Sequence, residues 1–274
     1  MKSLLAIADG GPALVPALTA AAAWAKLLDA ELDVLHVRDT EAARAAAFED
    51  STIDAGITSG PEITFVSNRA KAAHTAFDEL CRGGAIASWS EDHGDETTII
   101  ARRARLADLT IVGRPGADAD KLEPAYVRAI LFDSGRPALV IPPRTTTVAL
   151  STIVVAWNGS AQSARSLGYS LPLLQRAGRV IVLSLDAPNR QPATADVLIY
   201  LERHGITADT DSFDPGSGSA RARGRALLGY VDDCKADMLV MGAYGEHGIL
   251  KFLGLGGATG KVITACKVPL FLAH

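Results

Sequence analysis

Short, almost wholly apolar segments alternate with longer amphipathic segments along the chain. In the C-terminal part, apolar segments lie near 152–157, 180–185, 238–242 and 269–272, and a weaker one near 206–213 alternates apolar with polar residues. Such segments are typical of strands buried on both faces of a parallel sheet. The stretches between them predict helices over 161–174, 194–204, 219–235 and 259–266. This alternation predicts an α/β fold.

The N-terminal part repeats the same order of apolar segments. Residues 3–11, 32–37, 107–113 and 136–141 correspond in turn to residues 152–160, 180–185, 236–242 and 268–272. Four matched segments in one order predict two copies of one domain. The Pro- and Thr-rich segment 142–147 predicts a linker between a first domain, 1–143, and a second domain, 151–274. Residues 41–68, which contain a turn at Gly60–Pro61, carry no clear pattern.

The fold expected from this repeat is two tandem copies of an open, mostly parallel five-stranded sheet flanked by helices. A pseudo-twofold axis would relate the copies. We expect them to pack through their last strands, 138–141 and 270–272, because an unpaired final strand would expose an apolar edge.

Composition excludes several classes of protein. The chain has 274 residues, of which 48% are hydrophobic and 21% charged, and this excludes an intrinsically disordered protein. A net charge of -4 excludes a dominant basic surface for nucleic acid. Three scattered cysteines exclude a disulfide framework or a cysteine-based zinc site. Asp9 to Pro12 interrupt the only apolar run that resembles a signal peptide, so we expect a cytoplasmic protein without membrane or nucleic-acid partners.

Glycines cluster after the fourth predicted strand of the second copy. Gly242 and Gly245 follow that strand, and Gly256-Gly257-Ala258-Thr259 opens the next helix. Glycines at such a place allow backbone N–H groups to approach a phosphate, and the helix N-terminus adds partial positive charge. The same glycines could instead serve only the turns of the crossover. A Walker A loop is excluded because Gly260-Lys261 is followed by Val262, and a dinucleotide fingerprint is excluded because no acidic residue follows at the required distance.

The repeat, the segment Ala156–Ser160 and the glycine loop resemble the universal stress protein family in its tandem two-domain form. That family has a Rossmann-like fold of the adenine nucleotide alpha hydrolase-like type. Its nucleotide-binding motif is Gly, two residues, Gly, nine residues, Gly and then Ser or Thr. Here ten residues separate Gly245 from Gly256, and Gly257 stands at the hydroxyl position.

The resemblance implies an adenine nucleotide as the ligand of the second copy: ATP, ADP or AMP, with or without Mg. Asn158 stands where relatives have the acidic residue that ends the first strand, and Leu185 stands at the backbone position that ends the second strand. No catalytic residue and no metal ligand is implied. The nucleotide-binding residues implied are Ala156, Trp157, Asn158, Leu185, Met241, Gly242, Ala243, Gly245, Gly256, Gly257, Ala258 and Thr259.

The first copy departs from the same motif. It retains Asp9 and the glycine pair Gly113 and Gly116, but it lacks the glycines that open the last helix. Acidic residues between 118 and 123 would also repel a triphosphate. We therefore expect nucleotide in the second copy only.

The function implied is that of a non-catalytic stress-response regulator or sensor, in which nucleotide changes the surface presented to an unidentified protein partner. A homodimer is a further expectation. Two alternatives stay open: a slow ATPase or nucleotidyl-transfer enzyme that uses the same pocket, and a ligand-free interaction scaffold. No nucleophile paired with a base is evident in the sequence.

Overall fold

The computed structural model describes residues 1–38, 61–114, 125–145, 148–185, 193–213, 219–244 and 258–274. The first half contains the strands β1 Ser3–Ile7, β2 Glu31–Arg38, β3 Ser88–His93, β4 Leu109–Gly113 and β5 Ala138–Ile141. Its helices are α1 Leu14–Leu28, α2 Pro61–Arg82, α3 Glu96–Ala104 and α4 Ala125–Ala129, the last continued by a π-helical turn, Ile130–Ser134.

The second half repeats this succession of elements. Its strands are β6 Thr152–Trp157, β7 Arg179–Leu185, β8 Ala208–Phe213, β9 Met238–Gly242 and β10 Leu270–Ala273. Its helices are α5 Ala161–Leu174, α6 Thr194–Arg203, α7 Ala220–Asp233 and α8 Ala258–Ala265. Each predicted helix and strand of this half is present within two residues of its expected ends. The predicted turn at Gly60–Pro61 is partly outside the described residues, and α2 begins at Pro61.

All ten strands form one sheet in the order β3-β2-β1-β4-β5-β10-β9-β6-β7-β8. Within each half every pair of neighbouring strands is parallel. The chain thus does not form two separate five-stranded sheets. The predicted contact between the last strands is confirmed, and it joins the two halves into a continuous sheet.

The pairing of β5 with β10 is antiparallel and symmetric. Leu139 lies opposite Phe271, and the flanking pairs are Val140 with Leu270 and Ala138 with Leu272. Leu139 and Phe271 each stand two residues after the proline that precedes their strand. The register therefore centres on equivalent residues, as a twofold-related contact requires.

Two hydrophobic cores lie on the two faces of the sheet, and each runs through both halves. One core receives α1, α2, α5 and α6, and its largest buried side chains include Trp24 and Phe271. The other receives α3, α4, α7 and α8, and includes Ile100 and Leu239. Helices on both faces explain why the inner strands are apolar throughout.

The outermost strands, β3 and β8, are polar. β8 reads Ala-Asp-Thr-Asp-Ser-Phe, and its residues 209–212 are largely exposed, which accounts for the weak alternation of this segment in the sequence. Charged residues on an edge strand discourage pairing with another sheet. Within the part of the chain that the structure describes, no helix is both long and apolar enough to span a membrane.

Candidate functional site

The site predicted in the second half lies at a topological switch point. β6 pairs with β7 on one side and with β9 on the other, so the chain leaves β6 and β9 in different directions. In open α/β sheets such a point creates a crevice at the carboxyl ends of the strands, where ligands bind. The strands β6, β7 and β9 end at this crevice, at Trp157, Leu185 and Gly242.

A tight turn connects β6 to α5. The Asn158 Oδ1 atom accepts hydrogen bonds from the Ser160 backbone N–H at 3.1 Å and the Ser160 hydroxyl at 2.7 Å, and Gly159 between them has φ +71°. Ser160 in turn caps α5 by accepting a hydrogen bond from the Ser163 backbone N–H at 3.1 Å. The side-chain amide oxygen of Asn158 is therefore engaged in the turn that sets the start of α5.

Gly242 is required by packing. A Cβ added at this residue would lie 2.6 Å from the Ser163 nitrogen and 2.7 Å from the Gln162 carbonyl carbon, both in the first turn of α5. Gly113 occupies the same place in the first half, where an added Cβ would lie 2.8 Å from the Cβ of Ala13. The close approach of β9 to α5 accounts for this glycine without a ligand, and it is a packing requirement rather than one of turn geometry.

The segment after β9 contacts the start of α8. The Tyr244 backbone N–H donates to the Thr259 Oγ1 atom at 3.3 Å, and Tyr244 adopts φ +53°. Ala243 is fixed by a backbone hydrogen bond from its N–H to the Ala273 carbonyl at 2.8 Å. Residues 242–244 therefore touch the first turns of two helices, α5 and α8. The three loop glycines of the predicted site, Gly245, Gly256 and Gly257, lie outside the described residues.

Several other predicted site residues have side chains in the cores. Trp157 contributes to one core, and Ala156, Met241 and Ala243 contribute to the other. Because these four side chains are largely buried, a ligand at the strand ends would meet the residues mainly through their backbone. Leu185 ends β7, where its backbone pairs with β8, and Ala258 is the first residue of α8.

Gln162 is a candidate that the sequence reasoning missed. It lies in the first turn of α5 beside Gly242, its exposed fraction is 9%, and its Oε1 atom has no hydrogen-bond partner among the described residues. A buried acceptor without a donor is costly, and a ligand N–H or O–H group would remove that cost. The available signal was a polar residue where the first half has Ala13.

In the first half, the equivalent place is filled by the protein's own side chains. Asp9 Oδ1 accepts from the Gly11 backbone N–H at 2.8 Å, and Oδ2 accepts from the Tyr126 hydroxyl at 3.0 Å. The Asp9 carbonyl accepts from Arg69 Nε at 2.6 Å. Burial, followed by the nearby Asp9 carboxylate, raises the pKa of Tyr126 well above its usual value.

A buried histidine lies next to this cluster. His36 Nδ1 is 2.6 Å from the Ala8 carbonyl, and the ring stacks on Trp89 with centroids 6.1 Å apart. This distance assigns the Nδ1 proton to a hydrogen bond with Ala8. Burial lowers the pKa of His36, and the bond to Ala8 opposes that shift. Among the described residues, no group of three or more His, Cys, Asp and Glu side chains is arranged to hold a metal ion.

Comparisons with known proteins identify the fold. No family model matches the sequence, and no curated protein matches it. A universal stress protein from Archaeoglobus fulgidus has a similar structure, with a TM-score of 0.68, 17% sequence identity, and coverage of 98% of this chain and 97% of that one. A functionally unknown protein from Pseudomonas aeruginosa PAO1 follows, with a TM-score of 0.58, 15% identity, and coverage of 100% and 92%. The expected α/β fold with a mostly parallel, open sheet is confirmed, and it is the fold of universal stress proteins.

Proposed function

We propose that this chain is a universal stress protein that binds one adenine nucleotide in its second half and acts as a regulator rather than as an enzyme. The observation that carries the proposal is the convergence of two helix N-termini at the end of β9. Gly242 touches the first turn of α5, and Tyr244 donates to Thr259 in the first turn of α8. Helix N-termini carry partial positive charge and present backbone N–H groups, and both features favour a phosphate chain.

The residues around the crevice suit the rest of a nucleotide. Gln162 offers a buried oxygen to which no described residue donates, and the nucleoside has N–H and O–H donors. Asn158 stands at the end of β6 but lacks the charge of the aspartate at Asp9. The phosphates would lie toward Thr259 and the nucleoside toward β6 and β7. Any Mg would be held by the phosphates and by water.

The first half supports the stoichiometry of one nucleotide per chain. Tyr126 and Arg69 already take the acceptors of Asp9 that a nucleoside would need. A Cβ at Gly10 would lie 2.6 Å from the Arg69 carbonyl, so α2 also closes the approach to this turn. Nucleotide would have to break these contacts in order to bind there.

The first test is chemical. Protein purified without added nucleotide is denatured, and the released small molecules are separated by chromatography. Titration calorimetry with ATP, ADP and AMP then measures affinity and stoichiometry. We expect about one site per chain, and two equivalent sites or no measurable binding would contradict the proposal.

The second test addresses the glycines of the loop. Replacing Gly256 and Gly257 by valine should weaken binding at least about a hundredfold, because two charge-assisted hydrogen bonds at about 1.5–3 kcal/mol each would be lost. The matched control is Gly229→Ala, on the exposed side of α7, where an added Cβ meets nothing within 4 Å. Unchanged affinity in the valine variant would remove the loop from the site.

The regulatory part of the proposal follows from the joined sheet. The two halves, with expected domain limits 1–143 and 151–274, share both cores, so a ligand in one half can bias the surface of the other. We propose that a protein partner reads this surface. Limited proteolysis with and without ATP tests it: a change in cleavage confined to residues 151–274 would contradict communication between the halves.

A further inference from the structure

The two halves contact each other beyond the paired strands, and two of these contacts involve the segments that leave the fourth strands. Arg114, the first residue after β4, donates from Nη1 to the backbone carbonyl of Thr264 in the last turn of α8. On the other side of the seam, the ring of Phe132 lies 5.3 Å from the ring of Tyr244 and 4.1 Å from the ring of His274, centroid to centroid. Phe132 belongs to the first half, and the other two aromatic residues belong to the second.

These two contacts occupy related positions. Phe132 and Thr264 each stand five residues before the proline that precedes the last strand of their half. Arg114 and Tyr244 each belong to the segment that leaves the fourth strand of their half. The segment after the fourth strand of each half therefore rests on the last helical turn of the other half. One contact is polar and the other is aromatic.

The aromatic contact acts on Tyr244, in the short segment that leaves β9. Tyr244 is the last described residue before the loop glycines. Its backbone φ is +53°, a conformation that residues other than glycine rarely adopt. Such a conformation persists when surrounding contacts fix it. Here the contacts include the Phe132 ring, the Tyr244–Thr259 hydrogen bond, and the His274 Nδ1 atom, which lies 3.0 Å from the carbonyl of the preceding Ala243.

We propose that Phe132, a residue of the first half, is a positioning residue for Tyr244, just after the end of β9 beside the candidate site of the second half. Its ring holds Tyr244 in the conformation that presents its backbone N–H to the Thr259 Oγ1 atom at the start of α8. Without the ring Tyr244 would sample more conformations, and a ligand bound beside it would have to order it. The positioning itself is a property of the ligand-free chain, whereas its consequence for affinity rests on the proposed function.

The experiment compares three variants in the full chain. Phe132→Ala removes the ring, Phe132→Tyr keeps a ring, and Leu131→Ala truncates the adjacent core residue, which is 2% exposed, without removing the contact to Tyr244. Hydrogen exchange of the Tyr244 amide is measured without nucleotide, and ATP affinity is then measured for the same samples. The loss of an aromatic contact of this kind corresponds to a change of about threefold to tenfold in the exchange rate or in the affinity.

We expect Phe132→Ala to speed exchange at Tyr244 and to weaken ATP binding by that factor, and Phe132→Tyr to restore both. Leu131→Ala should lower the melting temperature at least as much as Phe132→Ala does. It should nevertheless leave the exchange rate of Tyr244 and the ATP affinity within about twofold of the parent values. Exchange at Tyr244 that is no faster in Phe132→Ala than in Leu131→Ala would overturn the positioning role. A parent chain that binds no adenine nucleotide would refute the proposed function, while the exchange measurement would still decide the role of Phe132.

Discussion

Replacing Gly242 by alanine tests whether the close approach of β9 to α5 holds the second half together. The new Cβ would lie 2.6 Å from the Ser163 nitrogen and 2.9 Å from the Gln162 Cβ, closer than real Cβ atoms come. Both atoms belong to residues in the first turn of α5, so the start of this helix would have to move to remove the clash. Overpacking of this kind costs about 1–3 kcal/mol of the free energy of unfolding. At 2–4 °C per kcal/mol, the melting temperature should fall by about 4–8 °C for a cost of about 2 kcal/mol.

The matched control is Gly229→Ala, because an added Cβ there points into open space on the exposed side of α7. That change should raise the free energy of unfolding by about 0.5–1 kcal/mol, since alanine favours a helix interior over glycine. Gly113→Ala, where the closest atoms are the Ala13 Cβ at 2.8 Å and its carbonyl oxygen at 3.0 Å, should lower it as Gly242→Ala does. The assay is urea unfolding followed by circular dichroism. Equal stability of the Gly242 and Gly229 variants would refute the packing explanation.

Three further experiments test the buried polar groups of the first half and the buried thiol of Cys266. Tyr126→Phe should lower the free energy of unfolding by about 1–2 kcal/mol, because Asp9 in the turn after β1 loses a buried hydrogen bond. The control Tyr169→Phe removes a more exposed hydrogen bond and should cost less than about half as much. Equal costs would contradict the buried network. Because the pKa of His36 is lowered in the folded chain, the unfolded chain binds more protons below about pH 6.5. The free energy of unfolding of the parent should therefore fall toward pH 5 by up to about 1.4 kcal/mol per pH unit, more steeply than that of His36→Phe. Parallel curves for the two proteins would be inconsistent with a neutral buried ring. Burial raises the pKa of the Cys266 thiol to about 11. A thiol reagent at pH 8 should therefore label Cys81 first and Cys266 only when the chain unfolds. Simultaneous labelling of the two cysteines would contradict the burial of Cys266.

The elements could be predicted from the sequence because the inner strands are buried on both faces. Continuous apolar runs such as 152–157 leave few alternatives once their order repeats along the chain. The edge strand β8 was the hardest to recognise, because aspartate and serine on an exposed strand resemble a loop. The pairing of β5 with β10 followed from the need to cover an apolar edge, but the formation of one continuous sheet needed the register that only the structure gives.

The candidate site was predicted less completely. Glycine spacing identified Gly242, but the sequence could not distinguish a phosphate contact from the approach of α5, since both require the same missing Cβ. The sequence retains Asp9 at the acidic position of the motif, but it does not reveal that Tyr126, 117 positions away along the chain, donates to the Asp9 carboxylate. Gln162 was missed because a polar residue in a first helical turn is ordinarily solvated, and its burial depends on the packing of β9.

The central claim is that adenine nucleotide binds in the second half and not in the first. Photocrosslinking with an azido-adenine analogue of ATP, followed by peptide mapping, tests this most directly. The label should appear on peptides from residues 148–274, in competition with unlabelled ATP, and should be lost in the Gly256→Val, Gly257→Val variant. Specific label on peptides from residues 1–145, or label that ATP does not displace, would contradict the account.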